Sequence, residues 1–181
     1  MKEFEQVDAR YRTNRPNIDS FVAAFGAYKS RGEKIIARHL GVADLATADE
    51  SKYSVRAYLA AMQELQDQFG VEFMRKLGER VSEKSVFPPG IDSVTKVMEL
   101  FNVAYYLNHP DVPTGALGTY QWKPTTETSG IMECDGPYAC AGDMGLIAGM
   151  ARRFAPASTL FHEPGSCRHE GGDRCRYVIS W

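Results

Sequence analysis

The residues best suited to chemistry are concentrated in the last third of the chain, where all four cysteines lie. Cys167 and Cys175 flank the sequence Gly171-Gly172-Asp173, which predicts a tight turn between strands. Such a hairpin could bring two thiolates to one metal ion, which would need two further ligands. The candidates are Cys134, Cys140, His162 and Glu163. Because no close Cys-x-x-Cys pair is present, the spacing alone leaves three interpretations open: a metal site, free buried cysteines, or a disulfide in an exported chain.

The same segment resembles the C-terminal part of the 4-vinyl reductase domain family. That family ends in an acidic residue, a cysteine, Gly-Asp and a second cysteine before an aromatic strand, and the matching residues here are Glu163, Cys167, Gly172-Asp173, Cys175 and Tyr177. The upstream match is Cys140, five residues before Gly145. The resemblance covers residues 115–181 and is closest to the sensor domains of phenol- and xylene-responsive activators. The chain resembles vesicle-tethering subunits and haem-nitric-oxide sensors more distantly. Over residues 1–110 only the helical character matches.

The resemblance implies a ligand-binding domain that forms a homodimer and holds a structural zinc ion beside its pocket. Carried over position by position, the implied zinc ligands are Cys140, Glu163, Cys167 and Cys175. In the phenol sensors the acidic ligand stands three residues before the cysteine, whereas Glu163 stands four residues before Cys167. His162 therefore competes with Glu163 as the fourth ligand. Cys134 matches no ligand of the family and is interpreted as a buried strand residue.

Four other residues are candidates for the wall of a mostly apolar ligand pocket: Phe101, Tyr105, His109 and Trp122. Such pockets have a few polar anchors, and the Trp122 indole or the His109 ring could serve as one. Ordinary core packing is the alternative for Trp122. A helix-borne histidine near aromatic residues could instead bind haem iron. The haem sensors carry a Tyr-x-Ser-x-Arg triplet for the propionates, however, and its absence here disfavours haem.

Two regions of different composition must position these residues. Residues 1–100 hold most of the charged groups, and their apolar side chains recur at helical spacing. The later residues hold most of the Gly and Pro, and they predict strands at 117–123, 129–134, 158–162 and 174–181 with a helix at 143–154 capped by Asp143. We therefore expect one α+β domain over residues 1–181, mainly helical over 1–110. Residues 111–181 are expected to supply the strands, one helix and the Cys-rich hairpin. The helical layer is expected to pack on the antiparallel sheet, and the C-terminal hairpin to bind zinc.

Composition and motifs exclude several classes of function. The 181 residues carry a net charge of −2, which argues against nucleic acid or an anionic membrane as a partner. The N-terminus has no apolar signal core, so a cytoplasmic location is expected. No nucleophile elbow, His-Glu-x-x-His pair, phosphate loop or dinucleotide fingerprint is present. These absences favour binding over catalysis.

The expected function is a small-molecule-binding sensor or adaptor domain with a structural zinc ion. It would take a small hydrophobic or aromatic ligand and act through a homodimer or a signalling partner protein. One alternative is an enzyme or accessory protein of tetrapyrrole metabolism, as the name of the 4-vinyl reductase family suggests. A haem-based gas sensor and a scaffold that holds an acyl chain are further alternatives. The sequence does not identify the ligand.

Overall fold

The computed structural model describes residues 1–165 and 167–181. The helices within these residues are α1 (Arg15–Ala23), α2 (Lys29–Leu40), α3 (Val55–Phe69), α4 (Val71–Lys84), α5 (Val94–Leu107) and α6 (Cys140–Phe154). The strands are β1 (Arg12–Asn14), β2 (Lys52–Ser54), β3 (Tyr120–Thr126), β4 (Ser129–Cys134), β5 (Thr159–His162) and β6 (Cys175–Ser180). The chain is therefore helical first and strand-rich later, as its composition predicts.

Short-range signals set most helix ends. The Asn14 side chain accepts a hydrogen bond from the Asn17 amide and begins α1, and the Ser54 hydroxyl accepts one from the Ala57 amide at the start of α3. Gly41 ends α2 with φ at +74°, a left-handed conformation that glycine adopts without a steric penalty. Amphipathic helices with such caps form wherever their apolar stripes can be buried.

Helix α6 begins earlier than its sequence predicts. Its first residue is Cys140, so Asp143 lies in the first turn and is not the cap. The Glu3 carboxylate supplies the capping interaction, because it accepts a hydrogen bond of 2.6 Å from the Cys140 amide. A cap from a residue so distant in sequence leaves no local signal.

The main sheet has the strand order β3-β4-β6-β5, and all of its neighbouring strands are antiparallel. The helices form the layer packed with this sheet, so the predicted α+β architecture is confirmed. The closest helix pair is α4 and α6, and glycines lie at their contact. Within the described ranges no helix is both long enough and apolar enough to cross a membrane.

Candidate ligand cavity and cysteine cluster

A cavity of about 660 Å³ lies among helices α1, α3, α4, α5 and α6. This volume is within the range of small-molecule sites. Its wall is mostly apolar and aromatic, and includes Phe21, Tyr58, Met62, Met74, Phe101 and Tyr105. Val86, Val103 and Leu107 also line it and are exposed, so the cavity opens to solvent beside these three side chains.

His109 is the imidazole in the wall of this cavity, two residues after the end of α5. Its Nδ1 lies 2.6 Å from the carbonyl oxygen of Tyr105, and its Nε2 lies 2.6 Å from the Tyr138 hydroxyl. A carbonyl oxygen can only accept, so Nδ1 carries the proton and Nε2 accepts from Tyr138. Burial lowers the pKa of His109 to about 4, although the hydrogen bond to Tyr105 opposes the shift. The ring is therefore neutral at pH 7, with one lone pair on Nε2.

The structure brings three of the four predicted pocket residues to this cavity: Phe101, Tyr105 and His109. Trp122 is not among the described lining residues. Its ring lies over Gly130 and 6.2 Å from the Trp181 ring, measured between centroids. It packs on the sheet, which is the alternative that the sequence left open.

Sequence reasoning missed three tyrosines of the cavity: Tyr58, Tyr120 and Tyr138. Tyr120 is the first residue of β3. Tyr58 belongs to the apolar stripe of α3 and is indistinguishable there from a core residue. Tyr138 stands in the loop before α6, 29 residues after its partner His109, and no local pattern marks it.

The second candidate site is a cluster of three cysteines and one histidine. The ligand atoms of Cys140, His162, Cys167 and Cys175 all lie within 4.8 Å of one another. The Cys140 sulfur lies 3.4 Å from that of Cys175, 3.6 Å from that of Cys167 and 4.0 Å from His162 Nε2. The three cysteines are buried, whereas His162 is half-buried. The cluster joins the start of α6 to the end of β5 and the start of β6.

Glu163 and Cys134 lie outside this group. The Glu163 carboxylate accepts a hydrogen bond of 2.5 Å from Arg176 on β6. Cys134 is buried on β4, directly opposite Cys175 in the register of the sheet. Of the two adjacent candidates for a fourth ligand, the geometry therefore places His162, and not Glu163, with the three cysteines.

A buried arginine lies between the cavity and the cluster. Arg168 forms an ion pair with Asp143, a cavity residue, and also donates to the carbonyl oxygen of Tyr138 at 3.2 Å. On its other side its Nε lies 3.3 Å from the Cys175 sulfur. The hydrogen bond between Cys175 and Cys140 and the nearby guanidinium of Arg168 lower the pKa of Cys175. Burial alone would lower the pKa of Arg168, but the surrounding acidic groups, Asp143 first, raise it.

Together, the helical layer, the antiparallel sheet and the open cavity define an α+β domain with a pocket of small-molecule size. No family model and no curated protein matches the sequence. Among solved structures, the fold is that of H-NOX domains.

Three of those structures show the extent of the likeness. An oxygen-binding H-NOX domain related to soluble guanylate cyclases, in its oxygen complex, is 13% identical with a TM-score of 0.64, over 92% of this chain and 94% of that one. The Fe(II) unliganded H-NOX protein from K. algicida is 14% identical with a TM-score of 0.63, over 92% and 95%. A structure from a study of haem redox potential and porphyrin distortion is 15% identical with a TM-score of 0.65, over 93% and 99%.

These neighbours contradict the resemblance to the 4-vinyl reductase family. That resemblance rests on the Cys and Gly-Asp pattern of the last third of the chain, whereas the structural match extends over nine-tenths of it. The zinc prediction depended on the same resemblance and is wrong on this comparison. The prediction that disfavoured haem is wrong as well. It treated the absence of one sequence triplet as decisive, whereas solved structures with this fold hold haem.

Proposed function

We propose that this chain is a sensor domain whose cavity binds haem, with His109 as the axial ligand. The observation that supports the proposal most strongly is the neutral His109 ring in the cavity wall, with its Nδ1–H fixed by the Tyr105 carbonyl. Histidines that bind metals usually donate their other ring N–H in this way. A sensor role also fits the H-NOX fold.

The residues of the cavity fit a haem in two further respects. The aromatic and aliphatic wall, including Phe21, Met62 and Phe101, suits an apolar macrocycle and excludes water from it. Lys84 is the one lysine or arginine among the described lining residues, so it is the cation available to a propionate. Because the Tyr-x-Ser-x-Arg triplet is missing, the second propionate would have no cation of its own among the described lining residues.

When bound, a haem would supply an iron that takes a diatomic gas. The chain's own residues would set how that site behaves. His109 would hold the metal from one side, and the Tyr105 carbonyl would keep Nε2 unprotonated and in position. The signal would pass to a partner protein or across a dimer.

Titration of the purified protein with ferric haem tests this proposal. We expect a saturable Soret band with one haem per chain, and its loss or a large spectral change in His109→Ala. Restoration of the band by added imidazole would confirm the axial role. His39→Ala is the matched control, because His39 pairs with Glu64 outside the cavity. Equal spectra for His109→Ala and the wild type would refute the assignment.

A small apolar or aromatic ligand in the same cavity is the second candidate. The observation that favours it is that Nε2 of His109 is already satisfied by Tyr138, so the cavity is complete without iron. This candidate predicts that the protein binds no haem and carries an apolar molecule as isolated. Native mass spectrometry of the untreated protein distinguishes the two.

We also propose that Cys140, Cys167 and Cys175 bind a metal ion that prefers sulfur ligands, with His162 as the fourth ligand. The ligand atoms support this by lying within 4.8 Å of one another. Metal analysis of two neighbouring substitutions decides the ligand set. His162→Ala should lose metal, whereas Glu163→Ala should retain it, and the opposite result would restore the ligand set predicted from the sequence.

A further inference from the structure

We propose that the hydroxyl of Tyr138 is a built-in competitor for Nε2 of His109 and thereby sets the affinity of the cavity for a haem iron. The inference rests on the proposed function, because it takes His109 to be the axial ligand. It goes further by assigning the strength of binding to a second residue, one that would not itself touch the metal.

The neutral His109 ring has a single lone pair that can accept a hydrogen bond, and the Tyr138 hydroxyl occupies it. Nδ1 is committed to the carbonyl of Tyr105, so Nε2 is the only ring nitrogen that can accept. The Tyr138 hydroxyl lies 2.6 Å from it, a short and well-formed hydrogen bond. Both side chains are buried, and the hydroxyl has no other hydrogen bond to any described residue.

An iron can reach Nε2 only after this hydroxyl has moved away. The Tyr138 ring cannot move freely, because it packs against the rings of Tyr58 and Tyr105, with centroids 6.3 Å and 6.0 Å away. Its main-chain carbonyl also holds Arg168. Binding at His109 would therefore leave a buried hydroxyl without a partner, and this cost reduces the affinity for iron.

Tyr138→Phe removes the competitor and keeps the ring packing. We expect its affinity for ferric haem to exceed that of the wild type by about three- to tenfold, the factor for one hydrogen bond. Tyr105→Phe is the matched control. Its ring also contacts His109, with centroids 4.7 Å apart, but its hydroxyl donates to the Leu117 carbonyl and not to the histidine. We expect no gain in haem affinity from it, because Tyr138 still occupies the lone pair of Nε2.

A measurement on the haem-free protein tests the hydrogen bond between Tyr138 and His109 separately from haem binding. In protein with labelled histidine, the NMR signal of His109 Nε2 should shift to that of a free acceptor nitrogen in Tyr138→Phe and stay in place in Tyr105→Phe. An unchanged signal would overturn the proposal, whatever haem does. If the signal shifts but the wild type and Tyr138→Phe bind haem with equal affinity, only the effect on affinity is overturned. If neither protein binds haem, the proposed function fails and this inference fails with it.

Discussion

The protonation state of His109 decides what the cavity can bind. A protonated ring would have no lone pair for iron or for Tyr138, and it would place a charge in an apolar wall. Burial prevents this at pH 7 by lowering the pKa of the ring to about 4. The same shift gives a measurable dependence of stability on pH.

We expect acid to destabilise the wild-type protein through His109. The ring titrates near pH 6.5 when unfolded and about pH 4 when folded, so between these values the unfolded chain binds a proton that the folded chain does not. The contribution to stability is full above about pH 6.5 and is lost as the pH falls towards about 4. Urea unfolding at pH 7 and at about pH 4.5 should show a fall that is about 2 kcal/mol larger in the wild type than in His109→Gln.

Equal falls in the two proteins would contradict this expectation. Other groups also titrate over this range, and comparison of the two proteins cancels their contribution.

Helices α4 and α6 are in direct backbone contact, and that contact positions both candidate sites. A Cβ atom added at Gly145 of α6 would lie 1.9 Å from the carbonyl oxygen of Arg75 on α4. One added at Gly78 of α4 would lie 2.1 Å from the carbonyl oxygen of Gly142. The first turn of α6 contains both Cys140 of the cysteine cluster and Asp143 of the cavity, so the position of α6 against α4 sets the position of both sites.

Gly145→Ala should therefore destabilise the protein by about 3 kcal/mol, because the two helices must move apart to admit the methyl group. Gly142→Ala on the same helix is the control. Its nearest neighbour would be the Ala139 Cβ at 3.6 Å, an ordinary contact, so it should be neutral or stabilise by up to about 1 kcal/mol. Thermal or urea unfolding of both variants compares them directly. A similar loss of stability in Gly145→Ala and Gly142→Ala would contradict the close contact between α4 and α6.

Exposed apolar side chains give the chain as a whole a surface suited to self-association. Helix α5 buries one face and leaves Val103 and Leu107 exposed by 56% and 70%, beside Val86 at the cavity mouth. Contiguous apolar patches of this kind often mark contacts with a partner. The homodimer predicted from the sequence would bury this patch around a two-fold axis.

We expect sedimentation at micromolar concentration to give a species of twice the 20.2 kDa chain mass. Val103→Lys/Leu107→Lys should shift it to the monomer, because the charges would be buried in the contact. Phe161→Lys is the control, since Phe161 is exposed on β5, outside this patch. A wild-type protein that sediments only as a monomer would refute the dimer.

Local patterns predicted much of the arrangement within single elements. Phe101, Tyr105 and His109 are spaced four residues apart, so the geometry of α5 and its last turn is enough to bring them to one side. The four strands of the main sheet were predicted within a few residues for the same reason, since alternation and turn residues act over short distances. The three-residue strands β1 and β2 were not predicted. The contacts between His109 and Tyr138, and between Glu3 and Cys140, depend on chain crossings that leave no such pattern.

The sequence by itself determined the α+β class and the order of the main elements, with helices first and the four strands of the main sheet around α6 later. It also indicated Cys140, Cys167 and Cys175 as candidate ligands. It left His162 and Glu163 open because adjacent residues at the end of a strand point in different directions, and only packing shows which one faces a given neighbour. His162 pairs with Tyr177 across β5 and β6 and so faces the Cys140 sulfur. The tertiary structure also decided the H-NOX fold, since at 12–15% identity a shared core is maintained by the pattern of buried residues and not by their identities.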